Sequence, residues 1–176
     1  MLPSGLQMVE IKQAGRLKGH LWEQVELPHV ARDAVLISLT NSAPLLHARQ
    51  LVTIHDAAIV EYPHDFKWSY RAWYRGLYAA LRRTPTRFIS VSSFAASEVA
   101  RHFGVAPDRI SVVPNAADHF IGLVPDRSVL DCLGLPEHGY VLAVSGRTRR
   151  KNLSAIERAI ERLDRRPLLV VAAGGT

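Results

Sequence analysis

The chain has 176 residues, 48% of them apolar and 22% charged, with mean hydropathy +0.02; that is the composition of a globular chain with one core or parts of two. No apolar run approaches the roughly 20 residues of a membrane-spanning helix, and residues 1–10 lack the basic start and apolar centre of a secretory signal. The single cysteine, Cys132, excludes a disulfide framework and a thiolate metal cluster, which suits a reducing compartment.

Short β-rich runs alternate with helical periods, the pattern of an α/β fold with parallel sheets. Residues 34–38 predict a buried strand, and residues 51–55 predict a second that ends in the polar pair His55-Asp56. From Phe66, apolar side chains recur at 66, 70, 73, 74, 77, 78 and 81, a helical stripe. Its aromatic members, Phe66, Tyr70, Trp73, Tyr74 and Tyr78, are expected to pack against the sheet. Residues 86–91 predict a third strand, Ser92 or Ser93 an N-cap, and 94–103 a helix closed by Gly104. After a turn at 106–109, residues 110–113 predict a fourth strand, followed by Pro114-Asn115. Gly122, Pro125, Gly134 and Pro136 then punctuate residues 119–137, the expected interdomain linker. Cys132 falls here in a predicted short helix, as a small apolar residue. One α/β unit is thus expected over 1–118 and the start of another over 138–176: strand Tyr140–Val144, a basic loop, a helix with Leu153, Ile156, Ile160 and Leu163 on one face, and strand Leu168–Ala172.

The net charge is +6 and the pI about 9.9. Residues 1–135 carry 14 basic and 12 acidic residues, net +2, whereas residues 136–176 carry 8 and 4, net +4. The densest point is Arg147-Thr148-Arg149-Arg150-Lys151. The last 36 residues hold no aromatic side chain, which disfavours nucleic acid, whose binding surfaces interleave basic and aromatic groups. A basic loop between a strand end and a helix N-terminus suits a compact anion: free N–H groups, the helix dipole and cationic side chains converge there. In open α/β sheets ligands lie beyond the C-terminal strand ends, where this loop belongs. Gly146 allows close backbone approach. The loop is neither Gly-x-Gly-x-x-Gly nor a P-loop. The sequence also lacks Asp-x-Asp, a His-x-His or His-x-x-x-His metal pair and a Gly-x-Ser-x-Gly elbow.

Four segments, in order, resemble the GT-B glycosyltransferases of family GT4. Leu51-Val-Thr-Ile-His-Asp56 resembles the family's "VTIHD" strand end. Ile89-Ser-Val-Ser-Ser-Phe-Ala-Ala-Ser-Glu98, through Phe103-Gly-Val105, resembles "TVSEFS…GV". Ile110-Ser-Val-Val-Pro-Asn-Ala-Ala-Asp118 resembles "VIPNGVD". Val144 to Leu153, with Arg150-Lys151-Asn152, resembles "VGSLEPRKNL". Here Ser145 precedes Gly146, so Arg147 stands two positions later than the family's arginine; Arg149 replaces a proline and Ala116 the linker glycine.

The resemblance implies a GT-B fold: a partial N-terminal Rossmann-like acceptor-side domain, then the first β-α-β of a C-terminal Rossmann-like donor-binding domain. It implies a metal-independent and retaining transfer of sugar from a nucleotide-sugar donor to a saccharide or lipid-linked acceptor, in polysaccharide or glycolipid biosynthesis, with no cofactor. By position, His55 is the catalytic residue near the donor sugar. Lys151, Arg150 and Arg147 would bind the donor diphosphate, neutralising charge on the leaving group. Asp56, Ser92 and Asn115 would line the cleft, although caps and turns also account for them. Family members are about twice this length, so the chain reads as a fragment lacking both ends and inactive alone, with the family's Glu-x7-Glu region expected beyond Thr176. The alternatives are a non-catalytic partner or scaffold remnant, and another GT-B enzyme such as a sugar-nucleotide epimerase. The expected location is cytoplasmic, with peripheral contact to an anionic inner membrane face as a further expectation from the charge.

Overall fold

The apolar runs become parallel strands. A computed structural model describes residues 15–145 and 151–172, and the chain divides into two compact units, Met1–His119 and Phe120–Thr176.

The first unit holds a four-stranded sheet in the order β1 (Leu36–Ser38), β2 (Gln50–Ile54), β3 (Arg87–Ser90) and β4 (Ile110–Val112). All neighbours are parallel, with Ser38 opposite Val52, Ile54 opposite Ser90 and Ser90 opposite Val112. Every strand therefore ends on the same edge. Val52, Ile54 and Phe88 are fully buried on one face. Two helices cover them, α4 (Trp68–Leu81) through Tyr74, Leu77, Tyr78 and Leu81, and α5 (Ser93–Phe103) through Val99 and Phe103. Burying each such side chain stabilises the fold by about 1.5–3 kcal/mol. The Tyr78 and Phe103 rings, 4.4 Å apart, join the two helices.

Local chemistry sets the ends of α5. Ser92 is extended at the N-cap and its Oγ accepts from the Ala95 N–H at 3.1 Å. Gly104 takes the left-handed conformation (φ 64°) that terminates the helix. Arg109 closes the sheet's other end by donating to the carbonyls of Arg82 and Thr84, each at 2.6 Å, and of Thr86 at 3.2 Å, with its guanidinium over the Phe88 ring.

Three expectations need correction. The strand at 34–38 is not buried: Val35 and Ile37 are each 57% exposed, because β1 has a neighbour on one side only among the described residues. A run of apolar residues cannot distinguish such an edge strand from a central one. The aromatic helix begins at Trp68, with Phe66 extended before it, and only part of its stripe is core, since Tyr70 and Trp73 are about two-fifths exposed. Cys132, expected to behave as a small apolar residue, is exposed.

The region before β1 had no sequence expectation and is helical. α1 (Gly19–Leu21) runs into a π-helical segment, Trp22–Glu26, and then α2 (Leu27–Val30). Pro28 supplies the reason for the wide turn: it has no N–H to give Gln24 and its ring crowds that carbonyl. The Leu27 N–H instead reaches back five residues to the Trp22 carbonyl.

In the second unit, β5 (Tyr140–Val144) and β6 (Leu168–Ala172) pair in parallel, with α7 (Leu153–Glu161) between them in sequence. A short helix, α6 (Ser128–Cys132), precedes them. No helix among the described residues is long and apolar enough to cross a membrane.

Candidate functional site

Parallel strands bring their C-terminal loops to one edge, and the first unit's predicted site residues lie there. His55 and Asp56 follow β2, Ser92 follows β3 by two residues, and Asn115 follows β4 by three. The edge also includes Asn41, from the loop after β1, which the sequence had not marked.

His55 is half-buried and held from two directions. Its backbone N–H donates to Asn41 Oδ1 at 2.9 Å, and its Nε2 lies 2.8 Å from the Leu39 carbonyl. A carbonyl can only accept, so Nε2 carries the proton and, in the neutral ring, Nδ1 keeps a lone pair. Asn41 adopts φ 23°, a conformation asparagine tolerates better than most residues, and its own carbonyl accepts from the buried Tyr78 hydroxyl at 2.7 Å. A chain of bonds therefore runs from the α4 core through Asn41 to His55.

Asp56 is exposed and its Oδ1 accepts from the Ala58 N–H at 2.9 Å, starting α3 (Ala58–Glu61). Ser92 uses its hydroxyl as the α5 cap. Both have structural duties. Asn115 is exposed. Lys151 is also exposed and stands in the second unit two residues before α7; Asn152, between them, is left-handed (φ 48°). Arg147 and Arg150 lie outside the described residues, as do Gly146, Gly174 and Gly175.

The first unit also contains a cavity of about 560 Å³. Its walls come from the α1–π segment (His20, Trp22, Glu23), the loop after β1 (Thr40, Asn41) and two residues of the aromatic stripe, exposed Tyr70 and buried Tyr74. Two side chains dock the π segment on that loop. Gln24 Nε2 donates to the Ala43 carbonyl at 2.9 Å while its Oε1 accepts from the Leu45 N–H at 3.0 Å. Glu23 Oε2 accepts from Ser42 Oγ at 2.9 Å. Asn41 therefore belongs both to the cavity wall and to the support of His55. Periodicity could not reveal this cavity, because the same spacing describes core and wall.

Glu61, Glu98 and His102 present oxygen or nitrogen atoms within 4.8 Å of one another, the only such metal-capable group among the described residues. Arg101 already occupies their charge: Nη2 donates to Glu61 Oε1 at 2.8 Å and to Glu98 Oε2 at 2.6 Å. The hydrogen bond from Arg101 holds the Glu98 carboxyl below its usual range. The group is an ion network between α3 and α5.

The first unit is thus an α/β domain with polar groups gathered beyond the carboxyl ends of a parallel sheet, the layout of a Rossmann-like ligand-binding domain. Residues 13–119 match the model of Glycosyltransferase Family 4, which is more than half of the 176 residues, and the chain belongs to that family. Three of the four resembling segments lie within the match; the Lys151 segment lies after it. No curated protein matches the chain.

Proposed function

We propose that the protein is part of a sugar-transfer enzyme of GT-B type that takes its sugar from a nucleotide-sugar donor with retention of configuration. The observation that carries this reading is the family match over the first unit, with His55 fixed at the sheet edge inside it.

The residues have separate tasks. His55 spends Nε2 on a backbone carbonyl, so its ring is oriented and Nδ1 accepts a hydrogen bond from a hydroxyl of the donor sugar. That role is positional: a ring clamped in this way holds the sugar at a set angle to the reacting carbon. In the second unit, Lys151 with Arg150 and Arg147 meets the donor diphosphate next to the α7 N-terminus. As the glycosidic bond breaks, negative charge grows on the departing phosphate, and cations placed there stabilise the transition state more than the ground state. Asp56 and Ser92 act through backbone caps that set the loops around His55, and Asn115 is an exposed polar side chain in the loop after β4. The acceptor is a saccharide or lipid-linked saccharide.

Calorimetric titration of the chain with UDP, GDP and ADP tests the reading. Binding in the micromolar range to at least one is expected, weakened about tenfold or more by Lys151→Ala, as for loss of a charge-assisted phosphate contact. Equal binding by the variant would overturn the diphosphate assignment.

A further inference from the structure

We propose that the outward side of α4 is a docking surface for an anionic phospholipid bilayer, met through a stripe of arginines headed by Trp68. Nothing in this surface depends on the sugar-transfer reading.

Charge singles out the helix. Residues 66–97 carry six basic residues, Lys67, Arg71, Arg75, Arg82, Arg83 and Arg87, and no acidic one, whereas the rest of the chain carries 16 of each. The net charge of +6 therefore equals the charge of this one run, which lies between Asp65 and Glu98. The fold leaves these charges uncompensated. Lys67, Arg71 and Arg75 enter no ion pair among the described residues, and Arg71 Nε has no hydrogen-bond partner. Arg83 donates only to a carbonyl of its own helix, that of Ala79. Cations without partners are the ones an anionic surface attracts.

The helix aligns them. At about 100° per residue, Trp68, Arg71, Arg75 and Arg82 fall within about 60° of one another, a stripe that runs the length of α4. The core residues Tyr74, Leu77, Tyr78 and Leu81 occupy a different side. Outward of the stripe come the small residues Ala72, Gly76 and Ala79, and a β-carbon on Gly76 would have no other atom within 4 Å. Long side chains thus flank a low, bare backbone, and a flat surface can approach them together.

The aromatic groups select the partner. Charge alone suits any polyanion, but Trp68 at the head of the stripe is 79% exposed, and Tyr62, which follows α3, is 52% exposed. An indole open to water beside cations fits the headgroup boundary of a bilayer, where its ring leaves water while the cations stay with phosphates. A cluster of basic residues joined to an inserting apolar group is the double signal that surface attachment needs. Each basic side chain held at an anionic leaflet raises affinity about fivefold.

Vesicle flotation of the whole chain tests this. The probes are vesicles of phosphatidylcholine alone and of phosphatidylcholine with about a third phosphatidylglycerol. The chain should bind the anionic vesicles at least tenfold more tightly than the neutral ones, and lose most of that binding when salt is raised to about 0.5 M. Lys67→Gln with Arg75→Gln should weaken binding tenfold or more. Arg165→Gln with Arg166→Gln removes the same charge from the second unit and should change it less than twofold. Trp68→Ala should weaken binding about threefold or more and abolish quenching of tryptophan fluorescence by brominated lipid; circular dichroism checks that every variant folds. Equal binding to both vesicles, equal loss in the two double variants, or quenching unchanged by Trp68→Ala would overturn the proposal. Tighter binding to duplex DNA than to anionic vesicles at the same salt would overturn it too, by giving the stripe to nucleic acid.

Discussion

Tyr78→Phe probes the bond chain that supports His55. Tyr78 is 2% exposed, and its hydroxyl donates to the Asn41 carbonyl at 2.7 Å. Phenylalanine keeps the ring in the core and removes only that oxygen. The Asn41 carbonyl then loses a buried partner, a change that costs about 1–3 kcal/mol. At 2–4 °C per kcal/mol for a chain of this size, a central loss of ~2 kcal/mol lowers Tm by about 4–8 °C. The consequence for the site is distinct from the loss of stability. Asn41 sits at φ 23° and gives Oδ1 to the His55 N–H, so releasing its carbonyl loosens His55 as well. Asn41→Gly keeps the backbone conformation accessible and removes the side-chain acceptor. If the two bonds work through one residue, urea unfolding of the single and double variants should show a coupling above ~0.5 kcal/mol. Additive losses, or a Tyr78→Phe loss below ~0.3 kcal/mol, would refute the reasoning.

Two further outcomes follow from the core. Burial pushes the Tyr74 hydroxyl up to about 12, helped by Tyr70, and raises Tyr78 further. The unfolded chain loses these protons near pH 10, so the stability of keeping both phenols neutral is complete below that pH and declines as pH rises toward 12. Urea midpoints should fall between about pH 9 and 11, with part of the tyrosinate absorbance appearing only on unfolding; full ionisation of all tyrosines in the folded protein would contradict this. Arg109→Lys keeps the charge but replaces a fork that reaches the Arg82, Thr84 and Thr86 carbonyls with a single ammonium. A loss of about 2 kcal/mol is expected by chemical denaturation, and one below ~0.5 kcal/mol would show that these contacts are dispensable.

Much of the molecule was legible because it depends on local chemistry. The α5 boundaries follow from Ser92 and Gly104, and each did what its residue type suggested: a hydroxyl caps a free N–H, and glycine takes the left-handed turn. His55-Asp56 could be read as a strand end because an apolar run stops there. Asp56 and Ser92 were also readable as caps, and both spend their side chains on backbone N–H groups. Residues 15–33 remained unread, since Pro28 interrupts the helical period and the π turn has no simple periodicity.

By itself, then, the sequence determined the class of fold, the succession of strands along the chain and the polar strand end at His55-Asp56. Periodicity and strand alternation encode those features within a few residues of each position. Tertiary structure decided which face each side chain meets. Tyr70, Tyr74 and Tyr78 share a helix, yet Tyr78 is core, Tyr74 is buried at the cavity wall and Tyr70 is two-fifths exposed there. The partners that make this difference, Trp22, Glu23 and Asn41, come from segments tens of residues away along the chain, and only packing brings them to one wall.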